Sequence, residues 1–243
     1  MDASAANPLL TLSYNNPQVQ FVLWGDSHLA NNHFFPDEFR KLISLQGSRY
    51  CPNLINNAVG GKRLNQGLID QIETFVQNQQ TSQFYFHIVF VGGNNIRDCF
   101  RGTANLSNKS FQASQTVDYL IWGHKEILQK IKLHGKTKAL FISPLPSAHL
   151  EPEIHFETLS NKLHTLAHEN GAYFVPVRES LSSENGLDQN GIMQRIYRKE
   201  FFHNDVHLNI VGAKILAKRV FSVISTIPNS VFGYKKLSKN RRL

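Results

Sequence analysis

Gln20-Phe21-Val22-Leu23-Trp24-Gly25-Asp26-Ser27-His28 is the stretch from which the fold can be read. An apolar run of strand type stops at a glycine and is followed at once by Asp, Ser and His. A strand that ends this way sets a hydroxyl at the carboxyl edge of a sheet, the edge at which open α/β sheets bind ligands. Asp26 and Ser27 equally suit the cap of a following helix, so this stretch alone leaves both readings open.

Outward from it, strands and helices alternate. Residues 36–46 form a helix whose first turn holds Pro36, Asp37 and Glu38, a fixed φ and two acids at the positive helix end. Residues 53–59 are a short second strand that ends at Gly60-Gly61. Leu64, Leu68, Ile69, Ile72, Phe75 and Val76 then recur at helical spacing up to residue 79. The third strand, 84–91, is apolar nearly throughout, as expected of a strand covered on both faces, and stops at Gly92-Gly93-Asn94-Asn95. A polar loop is predicted over 96–110 and a long helix over 111–134. Strand four covers 138–143, a helix 156–170, and strand five 172–177. Residues 180–204 read as a long loop with a helical turn near 192–197, and a last helix spans 208–224. Five such alternations predict a parallel sheet sandwiched by helices, an α/β/α fold with right-handed crossovers.

Composition bounds the alternatives. At 243 residues and 41% hydrophobic content, the chain suffices for one α/β domain. The organisation expected is an irregular arm over 1–19, a domain over 20–228 and a basic tail over 229–243. No apolar run is long enough to span a bilayer. The first residues lack the basic start and apolar stretch of a secretory signal, which points to a cytoplasmic protein. Cys51 and Cys99, the two cysteines, are not in a C-x-x-C pair; arithmetic allows one disulfide between them, but two buried or reduced thiols are expected. The formal charge is +8, and five of the positive charges are Lys235, Lys236, Lys239, Arg241 and Arg242. The tail could therefore make weak contact with nucleic acid or an anionic membrane, or lie solvated. His164 and His168 are spaced i, i+4, but without an intervening glutamate they read as a solvated helix face rather than metal ligands, and no metal or cofactor is expected.

Four polar clusters fall at predicted boundaries: Ser27 after strand one, Gly60-Gly61 after strand two, Asn94 after strand three, and Asn204-Asp205-Val206-His207 before the last helix. Together they hold the parts that acyl transfer needs. A serine hydroxyl is a weak nucleophile until a base takes its proton, and His207 is a candidate base. The N–H groups of Ser27 and Gly61 and the amide of Asn94 could donate to a developing oxyanion. Lys62, Arg63, Arg97 and Arg101 follow strands two and three and could line the rim, favouring an acidic substrate group, or be ordinary surface charge.

In these blocks the chain resembles the SGNH hydrolase (GDSL-like esterase) superfamily. Gly25-Asp26-Ser27, residues 56–61, Gly92-Gly93-Asn94 and the segment ending in His207 carry the resemblance, which covers about residues 20–225. It implies Ser27 as nucleophile, His207 as base and Ser27, Gly61 and Asn94 as the oxyanion hole. It also implies a flavodoxin-like five-stranded sheet in the order 2-1-3-4-5, no metal, and a serine esterase; with no long apolar insertion to make a lipid lid, short acyl esters such as O-acetyl groups are the expected substrates. A catalytically weak or inactive module of the same fold that binds RNA or another anionic partner is the alternative. The family usually carries Asp three residues before the histidine; here that position is Asn204, and Asp205 follows it. Either Asp205 or Asn204 then orients His207, or the site runs as a dyad. Further substrate contacts are expected from His28, Gly60, Arg63, Asn95 and Arg97, although Asn95 also suits a structural role and His28 a turn cap.

Overall fold

A computed structural model describes residues 19–46, 50, 53–80, 82–101, 105–145, 153–187, 193–204 and 206–232, with the backbone alone for 182–197 where described. Strands β1 (Val19–Gly25), β2 (Ile55–Asn56), β3 (Phe84–Phe90), β4 (Thr137–Ile142) and β5 (Tyr173–Val175) form one five-stranded sheet. Its order is β2-β1-β3-β4-β5, with every pairing parallel. Helices α1 (Phe35–Ser44) and α7 (Ile210–Thr226) cover one face. Helices α2 (Leu68–Gln77), α4 (Leu106–Lys132) and α5 (Glu153–Glu169) cover the other. This is the three-layer arrangement that the alternation predicts.

The pleat explains the two cores. Phe21, Leu23, Phe86, Ile88 and Phe90 point to the α1/α7 side, while Val22, Trp24, Tyr85, Val89 and Phe141 point to the α2/α4/α5 side. All seven residues of β3 are buried, each large apolar one contributing about 1.5–3 kcal/mol relative to exposure. The polar exception, His87, is fully buried and has a polar neighbour at each ring nitrogen. Trp24 Nε1–H donates to its Nδ1 at 3.0 Å, and its Nε2 lies 3.1 Å from the Gln79 side-chain amide. With Nδ1 accepting, the neutral ring carries its proton on Nε2; Gln79 turns its nitrogen to that proton and leaves its oxygen buried without a partner among the described residues, so turning the amide over would satisfy both groups. Burial first, and His134 second, push His87 down to about 3.

Several boundaries depart from expectation. The region read as a polar loop after strand three holds α3 (Gly93–Cys99), a short helix with one fully buried apolar residue, Ile96, too little to register as a period. Helix α4 starts at Leu106, a turn earlier than expected, because Asn105 caps it by accepting from the Asn108 N–H at 2.9 Å. The predicted loop over 180–204 contains a short helix α6 (Arg178–Leu181) overlapping its start, and β6 (Ser182–Leu187) paired antiparallel with β7 (Met193–Tyr197) in place of a helical turn. Strand two has only two ladder residues. Helix α7 begins at Ile210 because Asn209 accepts from the N–H groups of Val211 and Gly212. No helix among the described residues is long and apolar enough to cross a membrane. Val19, expected in the arm, already belongs to β1; residues 1–18, Cys51 and the five tail cations lie outside the described residues, and Cys99 is a free thiol.

Candidate active site

The end of β1 positions Ser27, the candidate nucleophile. Gly25 has φ 150°, and a Cβ there would stand 2.0 Å from the Phe90 carbonyl oxygen, so only glycine lets β1 close onto the end of β3. The Asp26 N–H donates to that same carbonyl at 3.1 Å. The chain then turns sharply, with Leu29 N–H bonded back to Asp26 O and Ala30 N–H to Ser27 O. Asp26, Ser27 and His28 are only 1%, 7% and 4% exposed, so the serine is set in a wall of buried polar groups.

His207 approaches from the loop before α7. Its Nε2 lies 3.0 Å from Ser27 Oγ, across 180 residues of sequence. Its Nδ1 lies 3.1 Å from Asn204 Nδ2, and Asn204 Oδ1 accepts from the N–H groups of Val206 at 2.9 Å and His207 at 2.7 Å. Asn204 thus occupies the position of the expected acid; Asp205 lies outside the described residues. His203 closes the turn by donating from its backbone N–H and from Nδ1 to the His207 carbonyl, both at 3.0 Å.

His28 joins the two ends. Its Nδ1 meets Asp26 Oδ1 at 3.0 Å and its Nε2 meets the Val206 carbonyl at 2.9 Å. Both ring nitrogens are taken, so His28 straps the histidine loop to the nucleophile turn rather than facing a substrate. His33 stacks on His207 with ring centroids 4.9 Å apart; nothing in its sequence context marks it, because it sits in an irregular turn. Burial, then the imidazoles of His28, His33 and His203, push His207 down to about 4, against a smaller upward pull from Asp26. Among the described residues no group of three His, Cys, Asp or Glu could hold a metal ion.

The three donors of the expected oxyanion hole come from adjoining strand ends. The N–H groups of Ser27 and Gly61 have no acceptor among the described residues. Gly61 has φ 74° with open space where a Cβ would be, so backbone is bare there. Asn94 donates one amide hydrogen to the Lys62 carbonyl at 3.3 Å, which ties the two loops together and leaves its second hydrogen.

The remaining candidates divide. Asn95 is buried and accepts from the Leu64 N–H at 3.2 Å, and Arg63 pairs with Asp98 and donates to the Gly61 carbonyl at 3.1 Å. Both brace the loops instead of projecting to a ligand. Arg97 stacks over Phe156, 5.3 Å from the ring centroid, with no hydrogen-bond partner for its guanidinium among the described residues. Burial lowers its pKa, and Asp26 is the larger of the opposing influences. Gly60 is exposed with free space around it, as is Arg101, which reaches Asp98 at 3.0 Å. A cleft of about 500 Å³ is lined by Arg63, Asn65, Asn95, Asp98, Gln115 and Tyr119 among others, and by none of Ser27, Gly61, Asn94 and His207. His164 and His168 are exposed on α5.

No protein-family model and no curated protein matches this chain. Solved structures do. A member of the lipolytic protein G-D-S-L family from Veillonella parvula superposes with a TM-score of 0.61 at 14% identity, covering 86% of this chain and all of its own. A catalytic serine-to-alanine mutant of an acetylxylan esterase from Geobacillus stearothermophilus gives 0.62 at 11% identity, over 90% of this chain and 96% of that one. Phospholipase A1 from Streptomyces albidoflavus gives 0.59 at 12%, over 85% and 99%. With this strand order and this coverage, the chain has the fold of the SGNH hydrolases.

Proposed function

We propose that the protein is a serine esterase that cleaves short acyl esters, O-acetyl groups foremost, through an acyl-enzyme. The observation that carries this reading is the 3.0 Å contact between Ser27 Oγ and His207 Nε2. In the reaction Ser27 Oγ forms a bond to the ester carbonyl carbon while its proton passes to His207 Nε2. The oxyanion is held by the Ser27 and Gly61 N–H groups and the Asn94 amide. Collapse breaks the ester C–O bond, and His207 gives its proton to the departing alcohol. Water, deprotonated by the same nitrogen, then frees the acid and restores Ser27.

The esterases and the phospholipase sharing this fold support hydrolysis of carboxylic esters. The acetylxylan esterase among them favours a short acyl group. The test is labelling by a fluorophosphonate probe together with turnover of p-nitrophenyl acetate. Both are expected in the native chain and neither in Ser27→Ala; equal labelling of the two proteins would remove the proposal.

A further inference from the structure

Asn204 makes four hydrogen bonds, and their pattern leaves its amide one orientation. The oxygen must be the atom that faces the two backbone N–H groups of Val206 and His207, at 2.9 and 2.7 Å, since a nitrogen there would oppose two donors. The NH₂ group therefore faces the two imidazoles, His207 Nδ1 at 3.1 Å and His203 Nε2 at 3.4 Å. The second contact agrees independently: His203 donates from Nδ1 to the His207 carbonyl, which leaves Nε2 as its accepting nitrogen. An amide that donates to His207 Nδ1 requires a lone pair there, and a neutral imidazole carries its one proton on the other nitrogen.

We infer that Asn204 is a positioning residue that locks His207 in the Nε2–H tautomer, so that at rest the imidazole donates to Ser27 Oγ instead of standing ready to accept its proton. The inference about rate rests on the esterase reading; the inference about the tautomer does not. Before acting as base, the ring must move its proton to Nδ1 against the Asn204 NH₂ group, and the amide offers the imidazolium no opposite charge. An aspartate at 204 reverses both effects without new geometry. One carboxylate oxygen keeps the two backbone bonds, and the other takes the place of the NH₂ group and accepts from Nδ1–H. In serine proteases the opposite change, Asp to Asn, costs about 10⁴ in kcat through the same tautomer error.

The experiment is ¹⁵N NMR of histidine-labelled protein at neutral pH, with His207 assigned by its loss in His207→Gln, run beside kinetics on p-nitrophenyl acetate. In the native chain the non-protonated nitrogen of His207 is expected to be Nδ1. In Asn204→Asp it is expected to be Nε2, kcat is expected to rise roughly 30-fold or more, and the acid limb of the pH–rate profile to move to higher pH as the carboxylate favours the imidazolium. A native His207 protonated on Nδ1 would overturn the inference, as would a folded Asn204→Asp protein with unchanged tautomer or no gain in kcat over a measurable native rate. If Asn204→Asp does not fold, the native spectrum alone decides. A tautomer that switches as described, in proteins that neither turn over ester nor take the probe, would uphold the lock and remove the esterase reading.

Discussion

The two halves of the site are held in different ways. On the Ser27 side, Asp26, Ser27 and His28 are nearly inaccessible and sit at the end of a strand paired along its whole length with β3. On the histidine side, His203 and Asn204 are exposed and His207 half-exposed. The loop there is held by short side-chain bonds and by the reach of His28 to the Val206 carbonyl. The first half inherits its precision from the sheet; the second must make its own. Ser27 therefore tolerates no backbone change beside it, whereas the state of His207 is set by single side chains.

Breaking the chemistry on either side is the largest effect expected. Ser27→Ala and His207→Ala are each expected to lower kcat on p-nitrophenyl acetate by at least ~10³-fold, with the melting temperature nearly unchanged, since neither side chain fills a core. The backbone rule comes next. Gly25→Ala would place a methyl 2.0 Å from a backbone oxygen at φ 150°, and a loss of about 3 kcal/mol or more in urea unfolding is expected. Gly60→Ala, with nothing within 4 Å of the new methyl, is expected to change stability by under about 0.5 kcal/mol. Equal effects at the two glycines would contradict a sheet-imposed nucleophile turn.

The same division governs what could be read in advance. Strands one, three and four were legible because buried parallel strands are continuous apolar runs, and β3 with Phe84, Phe86, Ile88 and Phe90 is the clearest case. The glycines and polar residues that end them showed where loops would gather. The features that escaped are those without a period. Helix α3 buries little, the β6–β7 pair follows no apolar alternation in Ser-Ser-Glu-Asn-Gly-Leu, and the His28 strap joins atoms 178 residues apart. That Asn204 would turn its NH₂ group to His207 depends on which backbone N–H groups claim its oxygen, and residue order does not encode this.

His28 tests the link between the halves. His28→Ala would leave the carboxylate of Asp26, buried with it, without its imidazole partner and free the Val206 carbonyl. A stability loss of about 2–3 kcal/mol is expected. Because the loop carrying His207 is then released, kcat is expected to fall about tenfold while KM changes little. A drop in stability with kcat intact would mean that the loop holds itself.

Acid separates fold from chemistry by the smallest step. His87 and His124 are buried and neutral, lowered by desolvation to about 3 and about 4; the same rings in the unfolded chain titrate near 6.5. The unfolded state therefore binds the extra protons, and stability, complete above pH 6.5, declines as pH falls from there toward 4. The slope is up to about 1.4 kcal/mol per pH unit for each ring. His207, lowered to about 4, stays unprotonated over most of that interval. Activity lost between pH 6 and 4.5 is thus expected to follow unfolding, not protonation of the base. His124→Leu removes one of the two buried rings along with its bond to the Leu120 carbonyl. It is expected to shrink the difference in unfolding free energy between pH 7 and pH 5 by about 2 kcal/mol, whatever it does to stability at pH 7. An unchanged difference would show that His124 takes its proton while the chain is still folded, and that the acid sensitivity lies at the exposed histidine loop.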